Sequence, residues 1–442
     1  MSGRRFDTLA VHAGDAPDAE SGALEAPITL ASAYAFESAE DAAAQFGAVL
    51  SVSDIPRGAT RRGCEATPGA GAMEERSDDG ATGSARGQRS PAQASRAHIY
   101  SRWSNPTVHA LEHKLAALEG AEASCVLASG MAAVTGAIET FVASGDHVIA
   151  PRGLYAETAR LLRERMPRFG VTTTFLDDVE IETYRRAITK QTRIVYAETP
   201  ANPTLAITDL HALAEMLRAN AGEGHPDGML LVVDGTFATP FHQRPLALGA
   251  DLVLHSMTKA LCGHGDAIGG VVSGRAELVQ RVRADMVRTA GAVMSPLTAM
   301  MMSRGVKTLG LRMKQASASA LELATRLEAD ARIERVFYPG LASHPHHVLA
   351  SRQMERGYGA MIAFEVRGGL QAGARAYDAV EIIARAVSLG DVRSLLTHPA
   401  STTSASMPRA DRIAGGITDG LMRLSVGIED VEDLWADLDS AL

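Results

Sequence analysis

A chain of 442 residues, 46% hydrophobic and 21% charged, is too long for one small core and has apolar residues enough for two or three domains. Its net charge of −9 argues against nucleic acid as a partner, because phosphate backbones need a concentrated basic face. Three cysteines, Cys64, Cys125 and Cys262, form no CxxC pair or repeated spacing, which leaves no disulfide framework or cysteine zinc site and fits a reducing cytoplasm. Residues 1–14 hold no apolar signal core, and no run of 18 uncharged apolar residues occurs, so the expectation is a cytoplasmic protein with no membrane partner.

Residues 1–98 read as an N-terminal arm that carries an insertion at about 51–97. There Gly, Ser, Ala, Pro and Arg dominate, large apolar residues are nearly absent, and no period is sustained. Such a stretch cannot bury enough apolar surface to offset its ordering entropy, and it reads as a mobile surface insertion. Pro106 then suits a first helical turn, Val108, Leu111, Leu115 and Leu118 share a face, and Gly120 can end the turn. The spacing predicts a helix over 106–119. Apolar runs at 124–128, 147–150, 171–176, 193–197, 229–233, 252–255 and 268–273 alternate with helical stretches such as 132–141, 157–165 and 209–219. That alternation predicts a mainly parallel α/β/α sheet, covered on both faces, in a large domain over 99–295. From 296 the rhythm changes. A long helical stretch over 297–330, apolar runs at 336–338, 361–366 and 421–426, and helices near 373–386 and 431–442 predict a smaller α+β domain over 296–442.

Ligands of open α/β sheets sit at the carboxyl ends of strands, where helices begin and unpaired N–H groups gather. Ser129, Gly130 and Met131 follow one such run, and Gly130 allows backbone to approach a phosphate at a helix start. Asp234 closes the run MLLVV; it can cap the next helix or pair with a protonated ring nitrogen in the cleft. Just past LVLH come His255, Ser256, Thr258 and Lys259. A lysine in that place is either a solvated loop charge or, desolvated beside other cations, an amine able to form a Schiff base. Cys125, mid-strand, reads as core. His344, His346 and His347 cluster without matching carboxylate or cysteine spacing, so no metal site is assigned.

Taken together, YSRWSNPT (100–107), ASGMAA (128–133), ETPANPT (198–204), VVDGTFATPFHQRPLALGAD (232–251), HSMTKALCGHGDAIGG (255–270), TAGAVMSP (289–296), YPGLASHP (338–345), SLGDVRSLLTHPAS (388–401) and RLSVGIED (423–430) cover nearly the whole chain outside the insertion. The set resembles the cystathionine/methionine-metabolism family of fold-type I pyridoxal-phosphate enzymes. The resemblance implies pyridoxal 5'-phosphate as cofactor, held as an aldimine on Lys259, with Asp234 on the pyridinium nitrogen. It implies that Ser129, Gly130, Met131, Ser256 and Thr258 cradle the phosphate, and that Tyr100 and Arg102 reach the phosphate of a neighbouring subunit. Tyr155 would stack on the ring and act in proton transfer, and Asn202 would touch the ring hydroxyl. Arg423 and Ser388 would bind the substrate α-carboxylate, and His264 would support the lysine loop. A homo-oligomer follows, a dimer at least and a tetramer as a pair of dimers.

Two positions depart from the family pattern. Gly235 stands where Asn usually follows the aspartate, and Glu157 occupies the place of the cysteine of methionine γ-lyases. The expected function is γ-elimination or γ-replacement on a homoserine- or homocysteine-derived sulfur amino acid. The alternatives are an acylhomoserine sulfhydrylase and a cofactor-binding protein without catalysis.

Overall fold

The computed structural model describes residues 3–15, 17–18, 22–25, 27–50, 98–220, 228–405 and 407–442. The insertion at about 51–97 lies outside them. Every apolar run of the first half becomes a strand: β1 (Ala123–Leu127), β2 (His147–Pro151), β3 (Thr172–Leu176), β4 (Thr192–Glu198), β5 (Leu230–Asp234), β6 (Leu252–Ser256) and β7 (Gly270–Gly274). They form one sheet in the order β1-β7-β6-β5-β4-β2-β3. Pairings from β3 through to β6 are parallel, while β7 runs antiparallel to both β1 and β6.

The strands read as unbroken apolar runs because both faces are covered. Val148, Ala150, Ile194, Tyr196 and Val232 point to one core, which also takes Ala133, Ala137 and Ile138 of the helix Gly130–Glu139. Their neighbours Ile149, Val195, Ala197, Leu231 and Val233 point to the other, against Leu213 and Leu217 of the helix Leu210–Ala219. Alternate residues serving opposite faces is the two-residue period of a strand buried on both sides. The helix Pro106–Glu119 has the predicted bounds: Asn105 caps its first turn and Gly120, at φ 70°, ends it in the left-handed conformation.

A second, five-stranded sheet has the order β10-β11-β12-β9-β8, from β8 (Ile333–Phe337), β9 (Met361–Val366), β10 (Ala384–Arg385), β11 (Leu395–Thr397) and β12 (Leu421–Ser425). Two helical expectations change here. The stretch over 297–330 is two helices, Pro296–Lys307 and Leu309–Ala329, because Thr308 departs from helical geometry and its hydroxyl is tied to the Gly305 carbonyl and to Arg312 Nε. The helix placed near 373–386 is Gly369–Ala379 instead. The carboxylate of Asp437 accepts the backbone N–H groups of Glu381, Ile382 and Ile383, pulling the chain out of the helix and toward β10.

That helical pair fixes the turn after β6. The buried Arg312 guanidinium donates to the Ala260 carbonyl and the Gly305 carbonyl, each at 2.7 Å. A Cβ on Gly305 would collide with the Cys262 carbonyl. Gly305→Ala is therefore expected to cost about 1–3 kcal/mol by overpacking. Urea unfolding followed by circular dichroism checks this, and an unchanged midpoint would show that the helix does not press on the turn.

Candidate active site

The carboxyl ends of β4, β5 and β6 lie side by side, and each delivers a polar residue. Register pairs Glu198 at the end of β4 with Asp234 at the end of β5. Both carboxyls are buried. Asp234 Oδ2 accepts from the Tyr196 hydroxyl at 3.3 Å and Oδ1 from the Thr236 N–H at 2.9 Å. Glu198 Oε2 accepts from the Tyr155 N–H at 2.8 Å and Oε1 from the Asn202 N–H at 3.0 Å. Burial pushes both carboxyls above their ordinary range, and for Glu198 the neighbouring Asp234 adds to the rise. Two adjacent buried carboxylates cannot both ionise cheaply, because each charge raises the cost of the other.

Past β6, the Lys259 amine donates to Ser388 Oγ at 2.7 Å. Burial, and then the positive charge of Arg423, lower this amine to about 8. Ser388 has φ 95°, a conformation L-residues rarely hold, and it turns its carbonyl onto Arg423 Nη2 at 3.0 Å. Arg423 Nη1 donates to Asn202 Oδ1 at 3.0 Å, while its buried Nε has no partner among the described residues. Burial lowers the guanidinium to about 10. Lys259, Ser388, Arg423, Asn202, Glu198 and the Tyr155 backbone are thus one hydrogen-bonded series. The Tyr155 side chain stays 45% exposed at the start of the helix Ala156–Arg160, its hydroxyl pushed up by burial and by Glu157.

Ser129 caps the helix Gly130–Glu139 through Ala132 N–H. A Cβ on Gly130 would lie 2.7 Å from both Cβ and Oγ of Ser256, so only glycine lets the helix start and the end of β6 meet. Met131 packs its side chain toward the core, leaving its backbone at the helix start. Ser256 N–H donates to Thr236 Oγ1 at 2.9 Å. Thr258 Oγ1 accepts from Gly269 N–H at 3.1 Å and donates back to the Gly269 carbonyl at 3.3 Å. His264 Nδ1 bonds to the Cys262 carbonyl at 2.8 Å within the same turn.

Tyr100 and Arg102 stand outside this series. Tyr100 bridges to Ala33, the Arg102 guanidinium lies 5.5 Å from the Tyr100 ring centre, and Arg102 also donates to the Arg288 carbonyl. Burial lifts the Cys125 thiol to about 12, which makes it a core side chain. Of the histidine cluster, His346 accepts from Ile207 N–H and His347 bonds to the Pro339 carbonyl. Sequence reasoning assigned no role to Glu198, Tyr196 or Thr236. The signal for Glu198 was present, since it closes a buried apolar run as Asp234 does.

The family described as Cys/Met metabolism PLP-dependent enzyme matches residues 81–442. An L-methionine gamma-lyase of Fusobacterium nucleatum is 44% identical over 346 residues, 78% of this chain and 86% of that protein. An O-succinylhomoserine sulfhydrylase of Pseudomonas aeruginosa is 38% identical over 440 residues, 99% of this chain and 95% of that protein. The crystal structure of metB from Corynebacterium glutamicum superposes with TM-score 0.81 at 32% identity, covering 100% of this chain and 98% of that one.

The lowered Lys259 amine gives a pH test. Its value of about 8 lies below the ordinary 10.5, so the unfolded chain binds more protons across that window. Stability therefore rises with pH through it. In cofactor-free protein, trinitrophenylation of Lys259, followed by peptide mass spectrometry, is expected to level off just above pH 8. A Lys259 profile that continues to rise like that of a solvated amine would refute the desolvated setting.

Proposed function

The chain belongs to the Cys/Met metabolism PLP-dependent enzyme family, and from that membership we propose that it eliminates or replaces the γ-substituent of a homoserine- or homocysteine-derived sulfur amino acid. The observation that carries the reading is Lys259: a half-buried amine lowered to about 8, hydrogen-bonded to Ser388 and joined through it to Arg423.

The residues fit pyridoxal 5'-phosphate. Gly130, without a side chain, lets the helix start meet Ser256 at the end of β6, so that backbone N–H groups and a hydroxyl lie together as a phosphate requires. Asp234 supplies a buried carboxylate for a ring nitrogen, and the partnerless Nε of Arg423 is a donor that an α-carboxylate can fill. When bound, the cofactor supplies the electron sink for carbanion chemistry. Lys259 then takes the α-proton and serves the β-carbon in turn, because an amine near 8 both accepts and returns protons at neutral pH. Ser388 keeps that amine oriented. Arg423 holds the substrate carboxylate, Asn202 meets the ring hydroxyl, and Tyr155, which stays protonated, gives a proton near the leaving group. Ser129, Gly130, Met131 and Ser256 hold the phosphate; Thr258 joins them by turning its hydroxyl proton from the Gly269 carbonyl to a phosphate oxygen.

Glu157 favours a second reading. It stands where methionine γ-lyases carry cysteine, and it pairs with Arg160 at 3.8 Å at the start of the helix beside Tyr155. Sulfhydrylation of an acylhomoserine, the activity in the name of the Pseudomonas aeruginosa relative, uses the same residues up to departure of the γ-group. The deciding experiment is a product assay with methionine, cystathionine, O-acetylhomoserine and O-succinylhomoserine, each with and without a thiol. Product from none of them would overturn γ-chemistry. Arg423→Ala is expected to keep cofactor and raise KM, at about 2–5 kcal/mol for one side of a buried charge pair; an unchanged kcat/KM would remove Arg423 from the substrate site.

Tyr100, which bridges to Ala33, and Arg102, which donates to the Arg288 carbonyl, suit a role at a neighbour's phosphate in a cytoplasmic dimer or a tetramer built from two such dimers. Mixing Arg102→Ala chains with Lys259→Ala chains tests this, since each mixed dimer contains one site with both residues. Partial return of activity is the expected outcome; mixed dimers without activity would show that the clamp is not shared.

A further inference from the structure

Glu198 is a buried acid for which the chemistry above has no use. It closes β4 on the sheet face that carries Ile194 and Tyr196, level with Asp234 at the end of β5. Burying one carboxyl beside another is costly, since each charge raises the cost of the other. Filling space does not require it, and an apolar side chain would avoid the penalty.

The two oxygens of Glu198 have separate tasks. Oε2 accepts the backbone N–H of Tyr155 at 2.8 Å, from 43 residues earlier in the chain. Oε1 accepts the backbone N–H of Asn202 at 3.0 Å, from the loop that leaves β4. Tyr155 follows β2, which neighbours β4 on the side away from β5. One carboxyl thus fixes two backbone segments that enter the site from different strand ends.

Each segment carries a side chain read above at the cofactor. Tyr155 stands before the helix Ala156–Arg160 with its ring 45% exposed, so packing does little to fix it. Asn202 presents Oδ1 to Arg423 Nη1 at 3.0 Å, and a displaced Asn202 would take that acceptor with it. The residue type fits the task. Both oxygens of a carboxyl keep an acceptor lone pair whether or not it is protonated, whereas the amide of glutamine would turn a donor toward one of the two N–H groups.

We propose that Glu198 is a positioning residue for the cofactor, a two-pronged acceptor that sets Tyr155 against the ring and Asn202 beside the ring hydroxyl. The proposal rests on the reading of those two side chains as cofactor contacts. It gives Glu198 itself no contact with cofactor or substrate.

The test measures the dissociation constant of pyridoxal 5'-phosphate from the full-length protein, with the visible circular dichroism of the bound cofactor as a second readout. Glu198→Gln is expected to raise that constant about tenfold, the effect of one buried hydrogen bond lost, and to weaken the dichroic band. The same substitution is then made together with Tyr155→Ala and Asn202→Ala, which keep both backbone N–H groups but remove the side chains they aim. There it is expected to change the constant less than about twofold, because residues that act as one unit are not additive. An equal loss in both backgrounds, or none in the first, would show that Glu198 acts through Asp234 or only fills the strand end. Either result overturns the inference and leaves the reading of Tyr155 and Asn202 standing. If Tyr155→Ala with Asn202→Ala binds cofactor as tightly as the wild type, that reading falls, and the inference with it. Should Glu198→Gln fail to fold, Glu198→Asp, which keeps the carboxyl but loses reach, enters the same comparison with the same expectations.

Discussion

Burying the Arg423 guanidinium costs desolvation energy, and the surrounding chain is arranged to offset that cost. Arg423 sits on β12 of the smaller sheet, yet its donors reach Asn202, beyond the end of β4 in the larger one, and the carbonyl of Ser388. The same Ser388 holds Lys259 on the turn after β6. Three segments that are distant in sequence are thereby pinned to one charged plane. A buried cation in a network tolerates little displacement, because each lost hydrogen bond leaves an uncompensated charge. The φ of 95° at Ser388 shows where backbone strain is tolerated to keep that geometry.

Much of this was legible in the sequence, and the boundary follows physical range. Strands buried on both faces are short continuous apolar runs, so β1 to β7 could be placed within a residue or two. Lys259, Asp234, Asn202, Ser388 and Arg423 lie within family motifs and do converge. Local patterning could not show that 297–330 breaks at Thr308, because the break depends on a hydroxyl meeting Arg312 Nε after folding. The overrun at 373–386 has the same cause: Asp437 captures three backbone N–H groups from more than 50 residues away. Glu198 meets the Tyr155 N–H across 43 residues, a contact that neither position suggests alone.

Phosphate recognition shows how a motif and its geometry can diverge. Ser129, Gly130 and Ser256 converge, with Gly130 required by the 2.7 Å approach to Ser256. Thr258, from the same motif, spends its hydroxyl closing the turn on Gly269. A threonine that both donates to and accepts from one residue ties the lysine turn to the strand that follows. Its contribution to anion binding thus depends on exchanging one of those bonds. Thr236, outside the expected set, supports both Asp234 and Ser256 through its N–H and hydroxyl.

Burial acts on the site in opposite senses at once. It raises the Glu198 and Asp234 carboxyls toward their neutral forms and lowers the Lys259 amine toward its own. Desolvation alone would give three uncharged groups, useless for holding an ionic cofactor. Charges placed nearby break that symmetry. Arg423 lies by Lys259 and drives its amine further down, whereas Asp234 has donors from Tyr196 and Thr236 to favour its anion. Glu198, with Asp234 as its register neighbour, is raised to about 8 by burial and then by that neighbour's charge. The three groups are thus divided by their neighbours as well as by burial. That division depends on which neighbour each strand end faces, and so on the order β6-β5-β4 in the sheet.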